Sequence, residues 1–126
     1  MKGLAIIVEA SEDGPPYGYR VENFDGDGDA VRAVLGGWME PAPSHESVTL
    51  WVNEDGKGLR LAVNRLAMDV WIRWDVHRCM LVDGDFLAGN VVVTGGAGPH
   101  GETLDLPPAA RAWILRVARD AGAAVP

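Results

Sequence analysis

The sequence predicts a compact α+β domain in which a mixed or antiparallel sheet of about five strands carries two or three helices. Short apolar runs rich in β-branched residues, such as Leu4 to Glu9, Val48 to Val52 and Gly89 to Thr94, are bounded by Gly, Pro, Asn or Asp. Apolar residues at intervals of three and four recur elsewhere, around Ala30–Leu35, Leu66–Trp74 and Ala109–Ala121. The chain has 126 residues, 48% of them hydrophobic and five of them Trp, so a single domain over residues 1–126 is expected. That composition supplies a core without a structural metal or disulfide.

Leu4 to Glu9 reads as the first strand and Ser11-Glu12-Asp13-Gly14-Pro15-Pro16 as the loop after it. Tyr17 to Phe24 alternates loosely and reads as a second strand, paired with the first as a hairpin. The next element is a helix capped by Asp27 or Asp29, with Ala30, Val31, Val34 and Leu35 on one face and Gly36-Gly37 at its end. The run Asp25-Gly26-Asp27-Gly28-Asp29 is not a calcium loop. The places that need Gly and a bidentate Glu hold Ala30 and Gly36. Trp38 to Pro41 follows as a short extended segment and Ala42 to Glu46 as a loop.

A central hairpin is read next, Val48 to Val52 and Gly58 to Val63, with Asp55-Gly56 supplying positive φ in the turn from Asn53. Asn64 is placed to cap a helix from Arg65 that carries Leu66, Ala67, Val70, Trp71 and Trp74 on one stripe. Asp83-Gly84 punctuates the connection to Gly89–Thr94, a buried and central strand. Gly95 to Gly101 is a loop and Glu102 to Leu106 a short strand. Pro107-Pro108 then opens a helix over Ala109–Ala121, with Ala109, Ala112, Trp113, Arg116 and Val117 as its face.

The formal charge of −7 is concentrated in one half: Met1 to Asp55 holds 11 acids and 3 bases, Gly56 to Pro126 holds 7 acids and 8 bases. An acidic half repels phosphate, so direct nucleic-acid binding is not expected. A basic protein partner, or mimicry of nucleic-acid charge, remains. Cys79 is the single cysteine, which excludes an intramolecular disulfide and fits a reducing compartment. The apolar run Leu4 to Val8 is too short for a signal-peptide core or a membrane span, so a cytoplasmic protein with no membrane partner is expected.

Three patterns invite chemistry. Gly96-Ala97-Gly98-Pro99-His100-Gly101 spells a dinucleotide motif, yet Glu102–Leu106 reads as a strand where a phosphate-binding helix must begin. Asp75, His77 and Cys79 share one side of an extended segment, but one His and one Cys do not make a zinc site, and His45 and His100 lie in distant loops. Glu40, Glu54 and Asp55 would supply an acid–base pair, yet Glu54 and Asp55 are adjacent turn residues and read as solvated. No catalytic, cofactor-binding or metal-ligating residue is assigned, and no cofactor is expected. Two candidate groups remain. Asn53, Glu54, Asn64 and Arg65 would bind a carboxylate or phosphate if the strand ends bring them together. Trp38, Trp71 and Trp74 would form a partner interface if exposed in one patch.

Several segments occur together and in one order: Val34-Leu35-Gly36-Gly37 leading into Trp38-Met39-Glu40; Val52-Asn53-Glu54-Asp55-Gly56-Lys57; Val63-Asn64-Arg65-Leu66-Ala67; Leu87-Ala88-Gly89-Asn90-Val91-Val92-Val93; and Gly101-Glu102 before a leucine-flanked helix. In these the chain resembles the family of domains of unknown function numbered 3846, over roughly residues 20 to 120. The Trp-rich stretch Met68 to Phe86 departs from that pattern and reads as a private interface or extra core.

The resemblance implies a phage-type accessory protein and brings no catalytic residues with it. The expectation is therefore a non-enzymatic protein that binds a host protein partner through an acidic, Trp-rich surface in the host cytoplasm, with a homodimer left open. Two alternatives stand beside it: a small-molecule or nucleotide-binding module, or minor enzyme, using Asn53, Glu54, Asn64 and Arg65; and an acidic nucleic-acid mimic.

Overall fold

The structure, a computed structural model, describes residues 1–42, 47–74 and 85–126. Among the described residues, five strands form one open, antiparallel sheet and three helices cover it. In chain order they are β1 (Lys2–Glu9), β2 (Gly18–Asp25), α1 (Gly28–Leu35), β3 (Met39–Ala42), β4 (Val48–Asn53), α2 (Arg65–Trp74), β5 (Val91–Gly95) and α3 (Pro108–Asp120). The strand order across the sheet is β2-β1-β5-β4-β3.

Alternation along the strands builds a core on each face. Leu4, Ile6, Leu50, Val91 and Val93 face α2 and α3, while Ala5, Ile7 and Val92 face α1. Because β5 is the middle strand and both its faces are covered, Val91, Val92 and Val93 are all fully buried. This is why the run carries no polar alternation. The hairpin of β1 and β2 forms as the sequence predicts, with Ile6 opposite Val21. The helix α1 also forms as predicted. The Asp27 carboxylate accepts from the Ala30 amide at 3.0 Å, and Gly36 closes the helix at φ 76°, where a side chain would be strained.

Three expectations are corrected. The segment from Gly58 to Val63 is not a strand, so the central hairpin does not exist. Both edges of β4 are already taken, by β3 and by β5, and the chain after Asn53 winds through consecutive turns instead. The Leu59 amide donates to the Asp55 carbonyl at 2.8 Å and the Leu61 amide to the Gly56 carbonyl at 3.0 Å. Positive φ falls on Arg60 (57°), not on Gly56. Gly56 is favoured for a different reason: a Cβ there would sit 3.1 Å from the Ala88 carbonyl oxygen, a tight contact.

Glu102 to Leu106 is likewise not a strand. β5 has no free edge, so this segment folds back over its end, leaving one isolated bridge between Ala97 and Thr103. It then docks on β1, where the Leu106 amide donates to the Lys2 carbonyl at 2.8 Å. Third, the face of α3 is Ala110, Ile114, Val117 and Ala118; Ala109, Ala112 and Arg116 are exposed. Trp113 lies at the margin, edge-on to Trp74 with ring centroids 5.4 Å apart.

Candidate functional site

The polar residues that the sequence singles out separate into two places. Asn53 ends β4 with its side chain turned to the α1 face. Its Nδ2 donates to the Leu35 carbonyl at 3.1 Å, and its Oδ1 accepts from the Asp55 amide at 2.9 Å. It thus satisfies one of the carbonyls that a helix C-terminus leaves without a partner, and starts the turn that follows. Gly37 makes room for it, since a Cβ there would lie 2.8 Å from Asn53 Nδ2.

Asn64 is fully buried. Its Nδ2 donates to the carbonyls of Ile6 (3.1 Å) and Gly89 (3.0 Å), and its Oδ1 accepts from the Ala67 amide (2.9 Å) at the start of α2. The cap predicted from sequence is therefore also a tie between α2, β1 and the strand entry to β5. Arg65 is exposed, and its backbone amide donates to the Tyr19 hydroxyl at 3.2 Å. Asn53 and Glu54 line common ground, whereas Asn64 and Arg65 belong to another part of the surface and core.

The three tryptophans do not share a patch. Trp71 is 6% exposed and sits in the core; Trp74 is half-buried against Trp113; Trp38 is 68% exposed. Trp38 is held from two sides. Its carbonyl accepts from the Glu54 amide at 2.9 Å, and the Arg32 guanidinium lies over its ring, 5.4 Å from the centroid. Arg32 in turn is ion-paired with Asp29.

Glu40, Asn53 and Glu54 form a wall shared by two shallow recesses. On one side Trp38, Asp55 and Leu59 complete the lining. Leu59 is 56% exposed, a large apolar side chain held out by the turns that replace the expected strand. Among the described residues, Glu40, Glu54 and Asp55 have no ion-pair partner. The carboxylates of Glu9 and Glu22, by contrast, are engaged by Arg20 at 3.3 and 2.8 Å.

On the other side of the wall lie Lys57, Trp71, Asp85 and Phe86. Lys57 is ion-paired with Asp85, and its ammonium sits 4.9 Å from the centroid of the Phe86 ring. The hydrogen bond from Lys57, aided by the Phe86 amide and opposed by partial burial, holds the Asp85 carboxyl below the usual carboxylate range. This recess encloses about 120 Å³, well short of the roughly 300–1,000 Å³ of ordinary ligand pockets.

The glycine motif forms a tight loop. The Gly98 amide donates to the Glu102 carbonyl at 2.6 Å, and the helix that follows starts only at Pro108. Asp75, His77, Cys79 and His45 lie outside the described residues. No helix among the described residues is long and apolar enough to cross a membrane.

Sequence reasoning missed Leu59, because the run from Gly58 was read as a strand that would pack it. It also missed Asn90, the polar residue just before the buried valines. Asn90 Oδ1 accepts from the Val8 amide at 3.0 Å and its Nδ2 donates to the Val34 carbonyl at 3.1 Å.

The family model described as "Domain of unknown function (DUF3846)" matches residues 1–118. No curated protein matches the chain, and no solved structure does.

Proposed function

This chain belongs to the DUF3846 family of unknown function, and we propose that it is a non-enzymatic accessory protein that docks a protein partner on the surface around Trp38. The observation that carries the reading is the pairing of Trp38 and Leu59, 68% and 56% exposed, in one recess. Covering one such side chain contributes about 1.5–3 kcal/mol, and Trp is among the residues that most often dominate interface energies. Trp71 and Trp74 belong to the core cluster on the α2 and α3 face of the sheet and are not part of this surface.

In the phage-type role that the family resemblance implies, the partner is a host protein met in the cytoplasm. The competing small-molecule reading is weakened by Asn53 and Asn64, whose amides are spent on backbone groups. The test is affinity capture from a bacterial host lysate with the wild-type chain and a Trp38→Ala/Leu59→Ser variant. The partner is expected to be lost with the variant while its thermal unfolding stays unchanged. A partner retained equally by both chains would overturn the reading.

A further inference from the structure

We infer that the partner presents a basic segment bearing one apolar anchor, and that it docks through side chains rather than as an added strand. This rests on the Trp38 surface proposed above and names what would recognise it.

Strand addition is disfavoured at both sheet edges. The hydrogen bond from the Glu54 amide to the Trp38 carbonyl, with Met39 opposite Asn53, fixes the alternation along β3. Backbone groups of Glu40 and Ala42 turn toward β4, and those of Met39 and Pro41 turn outward. Pro41 has no N–H to offer, so the outer edge of β3 lacks a donor where an added strand needs one. At the opposite edge the Val21 amide is already bonded to the Ala124 carbonyl at 2.8 Å.

What the β3 end does offer is apolar surface beside three carboxylates, those of Glu40, Glu54 and Asp55. One face of the Trp38 ring is covered by Arg32, which leaves the other face and Leu59 for an apolar anchor. Glu40, Glu54 and Asp55 lack a cation among the described residues, and the nearby Lys57 is committed to Asp85 and Phe86. The loop that positions Asp55 and Leu59 contains Arg60 in the left-handed region, a conformation that L side chains seldom adopt. Arginine or lysine on the partner would complete the three carboxylates, and the attraction would be screened by salt.

The test uses titration calorimetry of the full chain with a short Lys-rich peptide that carries a single Leu. Its Glu-for-Lys and Ser-for-Leu counterparts serve as probes of charge and anchor. Binding is expected for the Lys–Leu peptide, weakening as salt rises. It should fall about tenfold or more in Trp38→Ala/Leu59→Ser and in Glu40→Gln/Glu54→Gln/Asp55→Asn. The same charge loss placed elsewhere, Glu12→Gln/Asp13→Asn/Asp120→Asn, should leave it unchanged. Equal loss in that control would overturn the inference, because it would reduce the attraction to net charge. If the Lys–Leu peptide binds no better than its Glu counterpart while Trp38→Ala/Leu59→Ser still strips a captured host partner, the basic chemistry falls and the docking surface stands. If that variant alters neither experiment, both fall.

Discussion

The side-chain amide of Asn64 donates to the backbone carbonyl of Ile6, 58 positions away in the chain, at a distance of 3.1 Å. The ladder between β1 and β5 runs from Leu4 opposite Val93 to Ile6 opposite Val91. There Asn64 takes the Ile6 carbonyl, and further along Asn90 takes the Val8 amide. Two asparagine side chains thus satisfy backbone groups of β1 at and just past the end of the β5 ladder, and one of them starts α2.

Asn64→Ala is expected to be among the most destabilising single changes. It leaves the Ile6 and Gly89 carbonyls and the Ala67 amide without their partner, and an unsatisfied buried group costs about 1–3 kcal/mol. Asn64→Asp keeps the acceptor for Ala67 but loses both donors and buries a carboxylate, so it should not rescue. Urea unfolding of the two variants checks this; a loss under about 0.5 kcal/mol in Asn64→Ala would contradict it.

The tryptophans should divide by burial. Trp71→Ala empties a core position and is expected to cost about 3–5 kcal/mol. Trp38→Ala should change stability by no more than about 0.5 kcal/mol. Equal destabilisation by the two would show that Trp38 is a core residue.

Pro41→Thr restores an outward N–H on β3 in a residue that suits strands. The fold should be retained, and the variant should self-associate with rising concentration in analytical ultracentrifugation where the wild-type chain does not. Unchanged sedimentation would mean that Pro41 does not guard the edge.

The Lys57–Asp85 pair sets a modest pH dependence. Asp85 titrates lower in the folded chain than in the unfolded one. Its contribution is therefore complete above the unfolded value near 3.9 and is lost as pH falls through the folded value. Both side chains are partly exposed, at 54% and 28%, so the contribution is about 1 kcal/mol or less. The stability gap between wild type and Asp85→Asn, followed by denaturant unfolding, should close on acidification.

What the sequence by itself determined is the part governed by near neighbours. The apolar run of β1, the unbroken apolar run of β5, the Asp27 and Asn64 caps and the Gly36 stop act over a few residues, and each stands where the local pattern puts it. Tertiary structure decided what depends on who occupies an edge or a face. Val48–Val52 carries no mark saying that β3 and β5 will flank it, so nothing local forbade Gly58–Val63 from pairing there. The same holds for Trp38 and Trp71, equally apolar in the chain, of which packing buried one and left the other in water. Edge occupancy and burial are settled by residues distant in sequence, and that is why the candidate surface became visible only in the folded chain.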